Sequence, residues 1–236
     1  MVESNMQSGW DLMKQGLHSA AYEAFTADII KEPNRAPHYM NRGLCLLNMG
    51  RVEDALNDFR EYIRLRSQSS AGYNRAGVAL WLMGRMEEAI DIWRKAIDTK
   101  YRDAAGGVEI PALLFFAATR RSEQTLQAEA MKLLQTKWSP HLAKTWPGPI
   151  AGFLIGKMDE ETFLVRQTYL DPVLESRRLC RAHFWVGVSY LGRGDAQTWK
   201  YHLQQAVPSR QLLESEYYLA KHELMHSESS TANSDA

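Results

Sequence analysis

One short stretch near the end of the chain has the residue types and spacing of an enzyme site. His222, Glu223 and His226 form the pattern H-E-x-x-H. On a helix, two histidines four residues apart share a face and can bind zinc together, while the glutamate acts as a general base. A catalytic zinc also needs a third protein ligand, and downstream of His226 the chain offers Glu228 and Asp235. We therefore keep a zinc hydrolase as a minor alternative, with His222 and His226 as the metal candidates.

The elements that would position this stretch follow a repeat of 34 residues. Residues 36–99 contain two copies, in which Tyr39, Gly43, Gly50, Ala55 and Phe59 recur as Tyr73, Gly77, Gly84, Ala89 and Trp93. A third copy precedes them with Gly9, Gly16, Ala21 and Phe25. A fixed period of this length is typical of a solenoid, in which each repeat packs on its neighbours.

Each copy divides into two helices at its second glycine. Gly50 and Gly84 suit the position after a helix end, where a positive φ is easiest for glycine. Gly43 and Gly77 lie inside the first helix of each pair, where a glycine costs about 1 kcal/mol relative to alanine. We expect that cost to be offset by a close helix crossing, with an aromatic residue of the second helix beside it.

These residues and their period resemble the tetratricopeptide repeat. The resemblance implies an all-α, right-handed solenoid of helix-turn-helix units with an irregular helical insert and a C-terminal capping helix. Three regular units would occupy residues 1–99, and an irregular helical segment residues 100–178. A repeat-like unit and its capping helix, at 209–226, would complete residues 179–226, and a disordered tail would follow at 227–236.

The order of these parts resembles the bacterial tetratricopeptide adaptors of the "new lipoprotein I" type. The resemblance is carried by Trp146-Pro147, by the stretch 153–158 (FLIGKM) and by the stretch 216–224 (EYYLAKHEL). Members of that group are envelope lipoproteins that form homodimers and bring peptidoglycan hydrolases to a protease. The chain lacks their signal peptide and lipid-bearing cysteine, so the resemblance implies an adaptor and a homodimer, without naming the client.

In tetratricopeptide solenoids the first helix of each pair lines a concave groove. The resemblance therefore implies a set of client-binding side chains on those helices: Met6, Trp10, Met13, Met40, Asn41, Leu44, Asn74, Arg75, Val78, Trp81, Phe184 and Val188. The apolar positions among them are equally compatible with ordinary core between repeats. Trp10, Trp81, Asn74 and Arg75 are the stronger candidates, since tryptophan and arginine often carry interface energy.

Composition and charge narrow the remaining classes of function. The formal net charge is zero, which argues against a nucleic-acid partner, because phosphate binding relies on clustered Lys and Arg. The densest basic run, Arg177 to Arg181, is expected to be a solvated helix face. Cys45 and Cys180 are expected to be buried free thiols rather than a disulfide framework. The sequence shows no signal peptide, membrane-spanning run or cofactor motif, so we expect a cytoplasmic protein without membrane insertion, or an envelope protein if the chain is a trimmed lipoprotein.

The sequence therefore favours a non-enzymatic adaptor that holds a protein client or peptide in its groove. A protein that inhibits a toxin or enzyme by capping its active site is the main alternative. An adaptor binds at least two partners together, whereas an inhibitor has one tight and specific partner.

Overall fold

The computed structural model describes residues 8–165, 172–209 and 213–232, and the regular structure in these ranges is helical. Thirteen α-helices lie there: α1 (Gly9–Lys14), α2 (His18–Lys31), α3 (Ala36–Asn48), α4 (Val52–Leu65), α5 (Ser70–Leu82), α6 (Met86–Arg94), α7 (Glu109–Arg121), α8 (Gln124–Lys137), α9 (Gly148–Leu154), α10 (Glu160–Val165), α11 (Pro172–Gly192), α12 (Ala196–Ala206) and α13 (Ser215–Ala232). Consecutive helices pack as pairs, which confirms the predicted all-α solenoid.

A glycine of the first helix faces an aromatic ring of the second helix in four of these pairs. A Cβ on Gly43 would lie 2.5 Å from the Phe59 ring, and one on Gly77 would lie 2.1 Å from Trp93. The same contact joins Gly9 to Phe25 in the first pair and Gly187 to Trp199 in α11 and α12. The interior glycines thus have the packing reason that the sequence predicts, because any side chain there would displace a buried ring.

The predicted break between the helices of each pair is also confirmed. Gly16, Gly50, Gly84 and Gly194 have φ between 73° and 78°. In the second pair, Gly50 and Arg51 donate backbone hydrogen bonds to Leu47 and Leu46, which satisfies carbonyls at the end of α3. Each turn therefore closes on itself and sets the antiparallel course of the next helix.

Helices α7 and α8 form a fourth pair at the beginning of the segment that is predicted to be irregular and helical. Helix α7 is buried from Ile110 to Thr119, because it lies among α5, α6, α8, α9 and α11. Its Phe116 ring contacts Trp81 of α5 at 4.9 Å and Phe184 of α11 at 5.2 Å between ring centroids. This aromatic chain joins the regular repeats to the C-terminal repeat through one continuous core.

The last helix differs from its predicted bounds. Within the segment predicted to be irregular, the short helices α9 and α10 pack against each other and against α11. Helix α13 begins at Ser215, later than the predicted position 209, and continues to Ala232, six residues into the predicted disordered tail. Helical hydrogen bonds can extend through a polar stretch once a docked first half supplies the costly nucleus.

Two further expectations concern single residues and membrane topology. Cys45 and Cys180 are buried free thiols, as predicted, and burial raises the pKa of Cys45 to about 12. Within the described ranges, no helix has both the length and the apolar character that a membrane crossing requires.

Candidate functional site

The C-terminal helix α13 lies on the face formed by the first helices of the repeats, and we call this face the groove. Its contacts reach α3, α5, α7 and α11, which are the first helices of the second, third, fourth and last pairs. The groove that the sequence assigns to a client is therefore occupied by a helix of the same chain. The residues that hold α13 define the candidate site.

A buried arginine of α11 is the centre of these contacts. Arg181 is 6% exposed, and its Nε donates to Glu216 of α13 at 3.0 Å while its Nη2 donates to Glu109 of α7 at 2.8 Å. Glu214 lies 3.6 Å from the same Nε and accepts from Arg177 at 2.5 Å. The guanidinium group thus binds carboxylates from two helices and from the residue that precedes α13, and this arrangement fixes where α13 begins.

Two tryptophan side chains in the groove donate to two glutamates of α13. Trp185 Nε1 donates to Glu216 at 3.0 Å, and Trp81 Nε1 donates to Glu223 at 3.2 Å. Glu223 also accepts from Arg120 Nε at 2.7 Å and is 4% exposed. Each of these buried carboxylates therefore has both an indole and a guanidinium donor, as a buried charge requires.

Helix α5 supplies the polar contacts at the beginning of α13. Ser215 donates to Asn74 Oδ1 at 2.6 Å and accepts from Arg75 Nη1 at 2.8 Å. Arg75 also donates to the backbone carbonyl of Leu213. These contacts join α5 to the Ser215 side chain and to the carbonyl just before α13. They fix the register of α13 along the groove.

The buried carboxylates and guanidinium groups of this cluster shift each other's pKa values. Burial alone would raise the pKa of Glu214, but Arg181, Arg177 and Arg75 together hold it below its ordinary value. Burial disfavours the charged form of Arg181, yet the three carboxylates Glu216, Glu109 and Glu214 raise its pKa above the ordinary value. Glu109 differs, because burial raises its pKa more than Arg181 lowers it. The groove therefore holds carboxylates by surrounding them with fixed cations.

The predicted client-binding residues divide into three groups in the structure. Met6 lies outside the described residues. Met13, Leu44, Asn74, Val78, Trp81, Phe184 and Val188 are buried, so they are not open to a client while α13 is in place. Trp10, which is 38% exposed, and the half-exposed Met40, Asn41 and Arg75 retain accessible surface.

Four of these buried positions, Val78, Trp81, Phe184 and Val188, belong to the core that joins the repeats. Trp81 and Phe184 are members of the aromatic chain, and Trp81 also anchors Glu223. Leu44 and Met13 pack in a smaller cluster under Leu213, at the other end of the groove. The structure therefore places these side chains in the packed interior. From the repeat period and the residue type alone, a core position and a groove position look the same.

The H-E-x-x-H stretch lies on α13, and its glutamate is part of the groove contacts. Glu223 is engaged by Trp81 and Arg120, which leaves its carboxylate unable to act as the general base of an open site. His226 Nδ1 lies 2.8 Å from the His222 carbonyl, and burial lowers the pKa of His222. Among the residues that the structure describes, no group of three or more His, Cys, Asp and Glu side chains is placed to hold a metal ion.

Sequence reasoning named Asn74, Arg75, Trp81 and Glu223 as candidates, but it missed the buried arginine at the centre of this site. It treats Arg177 to Arg181 as a solvated helix face, whereas Arg181 is buried and paired with Glu109 and Glu216. That expectation is corrected, because the partners lie on helices 72 and 35 residues away in the chain. One available signal was the pair Glu216 and Glu223, seven residues apart on one face of the helix, with Leu219 and Ala220 between them.

Comparisons with known proteins agree with this architecture. The sequence profile described as "Tetratricopeptide repeat" matches residues 6–70 and 42–105. No curated protein matches the chain. A solved structure entitled "Crystal structure of MamA" has a TM-score of 0.50 at 16% identity, covering 87% of this chain and 95% of that one. This likeness supports the fold.

Two further solved structures show weaker likeness to the chain. A second MamA structure has a TM-score of 0.49 at 17% identity, covering 86% of this chain and 87% of that one. The tetratricopeptide domain of P58(IPK) has a TM-score of 0.42 at 18% identity, covering 96% of this chain and 66% of that one.

Proposed function

We propose that this chain, whose residues 6–105 match tetratricopeptide repeats, is a non-catalytic scaffold that binds a segment of a partner protein in its groove. The observation that carries the proposal is the way the groove holds α13. A helix is bound there by directional contacts from four first helices, as a groove built for helix recognition would bind its ligand. In this state the chain supplies the occupant itself.

The groove can serve a partner because its occupant is one helix of the same chain. Docking within one chain gives α13 a high effective concentration, so a partner displaces it only if the partner binds the groove tightly enough to overcome that advantage. The proposal then requires that partner binding and α13 docking exclude each other.

We also propose that the chain is an adaptor, that it forms a homodimer, and that it is related to the envelope lipoproteins of the "new lipoprotein I" type. An adaptor would bring two proteins together, one in the groove and one on another face. The inhibitor alternative predicts a single tight partner instead. The zinc hydrolase has little support, because Glu223 is buried in an ion pair.

A reversible lock on α13 tests the proposal. Asn74 and Ser215 are in side-chain contact, so the variant Asn74→Cys, Ser215→Cys can form a disulfide that holds α13 in the groove. We expect the oxidised chain to capture no groove partner from a lysate of the source cell, and the reduced chain to capture it. The same protein sample then serves both states.

The single variant Asn74→Cys is the matched control, since it cannot form the lock and should capture the partner in both redox states. Equal capture by the locked and the reduced double variant would show that the partner binds elsewhere. Two proteins captured together in reduced conditions would favour the adaptor, and one protein at equal stoichiometry would favour the inhibitor.

A further inference from the structure

We infer that the groove selects an acidic partner helix with two glutamates seven residues apart, and that α13 competes with this helix. The inference rests on the proposed function and names the chemistry of the partner. It starts from the groups that the groove presents. Trp81, Trp185, Arg120, Arg177 and Arg181 all direct N–H donors at α13 or at the residue before it. Indole and guanidinium groups donate hydrogen bonds and accept none.

An occupant without acceptors at these points would leave the donors buried and unpaired. Trp81 and Trp185 are fully buried, so water cannot replace a missing carboxylate without opening the site. A buried donor that loses its partner carries the full cost of its desolvation. The groove therefore discriminates against neutral and basic helices more strongly than it attracts acidic ones.

The spacing of the acceptors defines the shape of the ligand. Glu216 and Glu223 are two helical turns apart and each receives one indole N–H and one guanidinium N–H. Between them, Leu219 and Ala220 are fully buried against the core. The pattern that the groove reads is Glu-x-x-Leu-Ala-x-x-Glu, with an apolar face between two carboxylates.

Helix α13 contacts the groove from Ser215 to Glu223. Among its side chains up to Ser227, Lys221, Met225 and His226 are exposed, and Glu223 is the last that is buried. At the other end of the groove, Trp10 and Met40 keep accessible surface. A partner helix with the same acidic pattern and additional apolar residues can gain contacts that α13 does not make.

The test uses the full chain with its own helix weakened. Glu216→Gln and Glu223→Gln together keep the shape of α13 but remove both negative charges, and at position 223 an amide N–H replaces one of the two acceptor oxygens. The probe is a labelled synthetic peptide of residues 213–232, and binding is measured by fluorescence anisotropy. We expect it to bind the double variant about tenfold or more tightly than the unaltered chain, whose groove is occupied.

The charge of the probe is then varied. A peptide with both glutamates replaced by glutamine should bind at least about tenfold more weakly, since each carboxylate loses charge-assisted hydrogen bonds. The control peptide carries Lys221→Gln, which changes one exposed charge and should bind within about twofold of the unaltered peptide. Equal binding of the neutral and acidic peptides would overturn the inference while leaving the proposed function intact.

A pair of adjacent arginines gives the reciprocal test on the groove side. In the opened chain, Arg120→Gln should weaken the acidic peptide about tenfold, because it removes a donor to Glu223. Arg121→Gln removes a cation that pairs with Glu87 outside the groove and should have no effect. The affinity of a peptide that lacks Glu223 should not change with either substitution. Equal effects of the two substitutions would mean that the peptide is attracted by the overall positive charge and not by specific contacts, and this would overturn the inference.

A second measurement covers the case in which the glutamine variants disturb the fold. A chain with a protease site at residues 210–212 is folded and then cut, and the labelled peptide is allowed to exchange with the cut C-terminal fragment. Exchange by the acidic peptide and not by the neutral one supports the inference. No exchange by either, with partner capture still controlled by the disulfide lock, would reject the acidic helix and retain the groove function.

Discussion

The first three helix pairs and the groove are both buried, but different interactions hold them. In α1–α6 most contacts are apolar and local, with Gly43 against Phe59 and Gly77 against Trp93, and the buried ion pair of Arg42 and Asp58 also lies within one repeat. In the groove, Arg181 and Trp81 bind carboxylates that lie 35 and 142 residues away in the chain. The first region is held mainly by shape within each repeat, and the second by the pairing of desolvated charges from distant helices.

This difference separates two roles. Apolar close packing does not accept a segment of a different shape, because any void or clash costs free energy directly. A buried polar cluster is costly to form from either partner alone, yet it accepts any occupant that supplies the same charges. The repeats are therefore the rigid frame, and the groove is the part of the molecule where a ligand can be selected.

The largest expected effect comes from the glycine crossings. Gly77→Val would drive a side chain into the Trp93 indole, since a Cβ on Gly77 would lie only 2.1 Å from Trp93 Nε1, far inside contact distance. Trp93 is fully buried and cannot move aside. We expect a loss of about 3 kcal/mol in the free energy of unfolding, measured by urea denaturation.

Gly192→Ala is the matched control for this substitution. An added Cβ there meets only Thr119 Cγ2, at 3.4 Å, which is ordinary contact distance. Its effect should stay within about 0.5 kcal/mol. If both substitutions cost the same, shape would not be what holds the repeats, and the contrast between the two regions would fail.

The next effect concerns the charges of the groove. Glu223→Ala leaves the Trp81 N–H buried without its acceptor and Arg120 without its carboxylate. We expect a loss of about 2 kcal/mol in the free energy of unfolding, less than for a fully enclosed pair because Arg120 is 43% exposed.

A neighbouring ion pair supplies the comparison. Glu87 pairs with Arg121 at the surface and its side chain is 74% exposed. Glu87→Ala should change the free energy of unfolding by less than about 0.5 kcal/mol. Equal losses for Glu87→Ala and Glu223→Ala would mean that burial adds nothing to the groove contacts.

The sequence predicted these two regions unequally for a physical reason. Gly43, Gly50 and Phe59 recur at fixed offsets, because each contact lies inside one repeat and repeats share a period. Arg181, Glu109 and Glu216 belong to different helices, and their meeting depends on how the solenoid curves and where α13 turns back. Charge and spacing along one helix can indicate a buried polar face but do not identify such partners, so a buried arginine and a solvated one look alike.

A histidine pair in the last repeat combines a contact within one repeat, as in α1–α6, with titratable groups, as in the groove. His183 Nδ1 and His202 Nδ1 are 3.0 Å apart beside Gly187, in the fourth glycine crossing. Burial and the neighbouring His202 lower the pKa of His183 to about 4. Burial also lowers the pKa of His202, against Glu160, which lies 3.8 Å from its Nε2.

Because the folded chain binds these protons less readily than the unfolded chain, this pair makes stability depend on pH. The contribution is fully present above about pH 6.5 and is lost as the pH falls toward 4. We expect a loss of about 1.5 kcal/mol across that window, since the pair is partly solvated. Urea denaturation at several pH values measures it, and His183→Asn should flatten the profile. An unchanged slope in that variant would assign the pH dependence to other groups.

The smallest effect is expected for the exposed ion pairs of the regular repeats. Glu61 and Arg64 on α4 are 2.8 Å apart, with side chains 44% and 60% exposed. Water screens the pair, and holding two long side chains in one geometry costs entropy, so Glu61→Ala should change the free energy of unfolding by less than about 0.5 kcal/mol. The loss should shrink further in 1 M salt, which reduces the Debye length to about 3 Å. A loss above about 1 kcal/mol, insensitive to salt, would show that exposed charges also hold α1–α6, and the contrast with the groove would weaken.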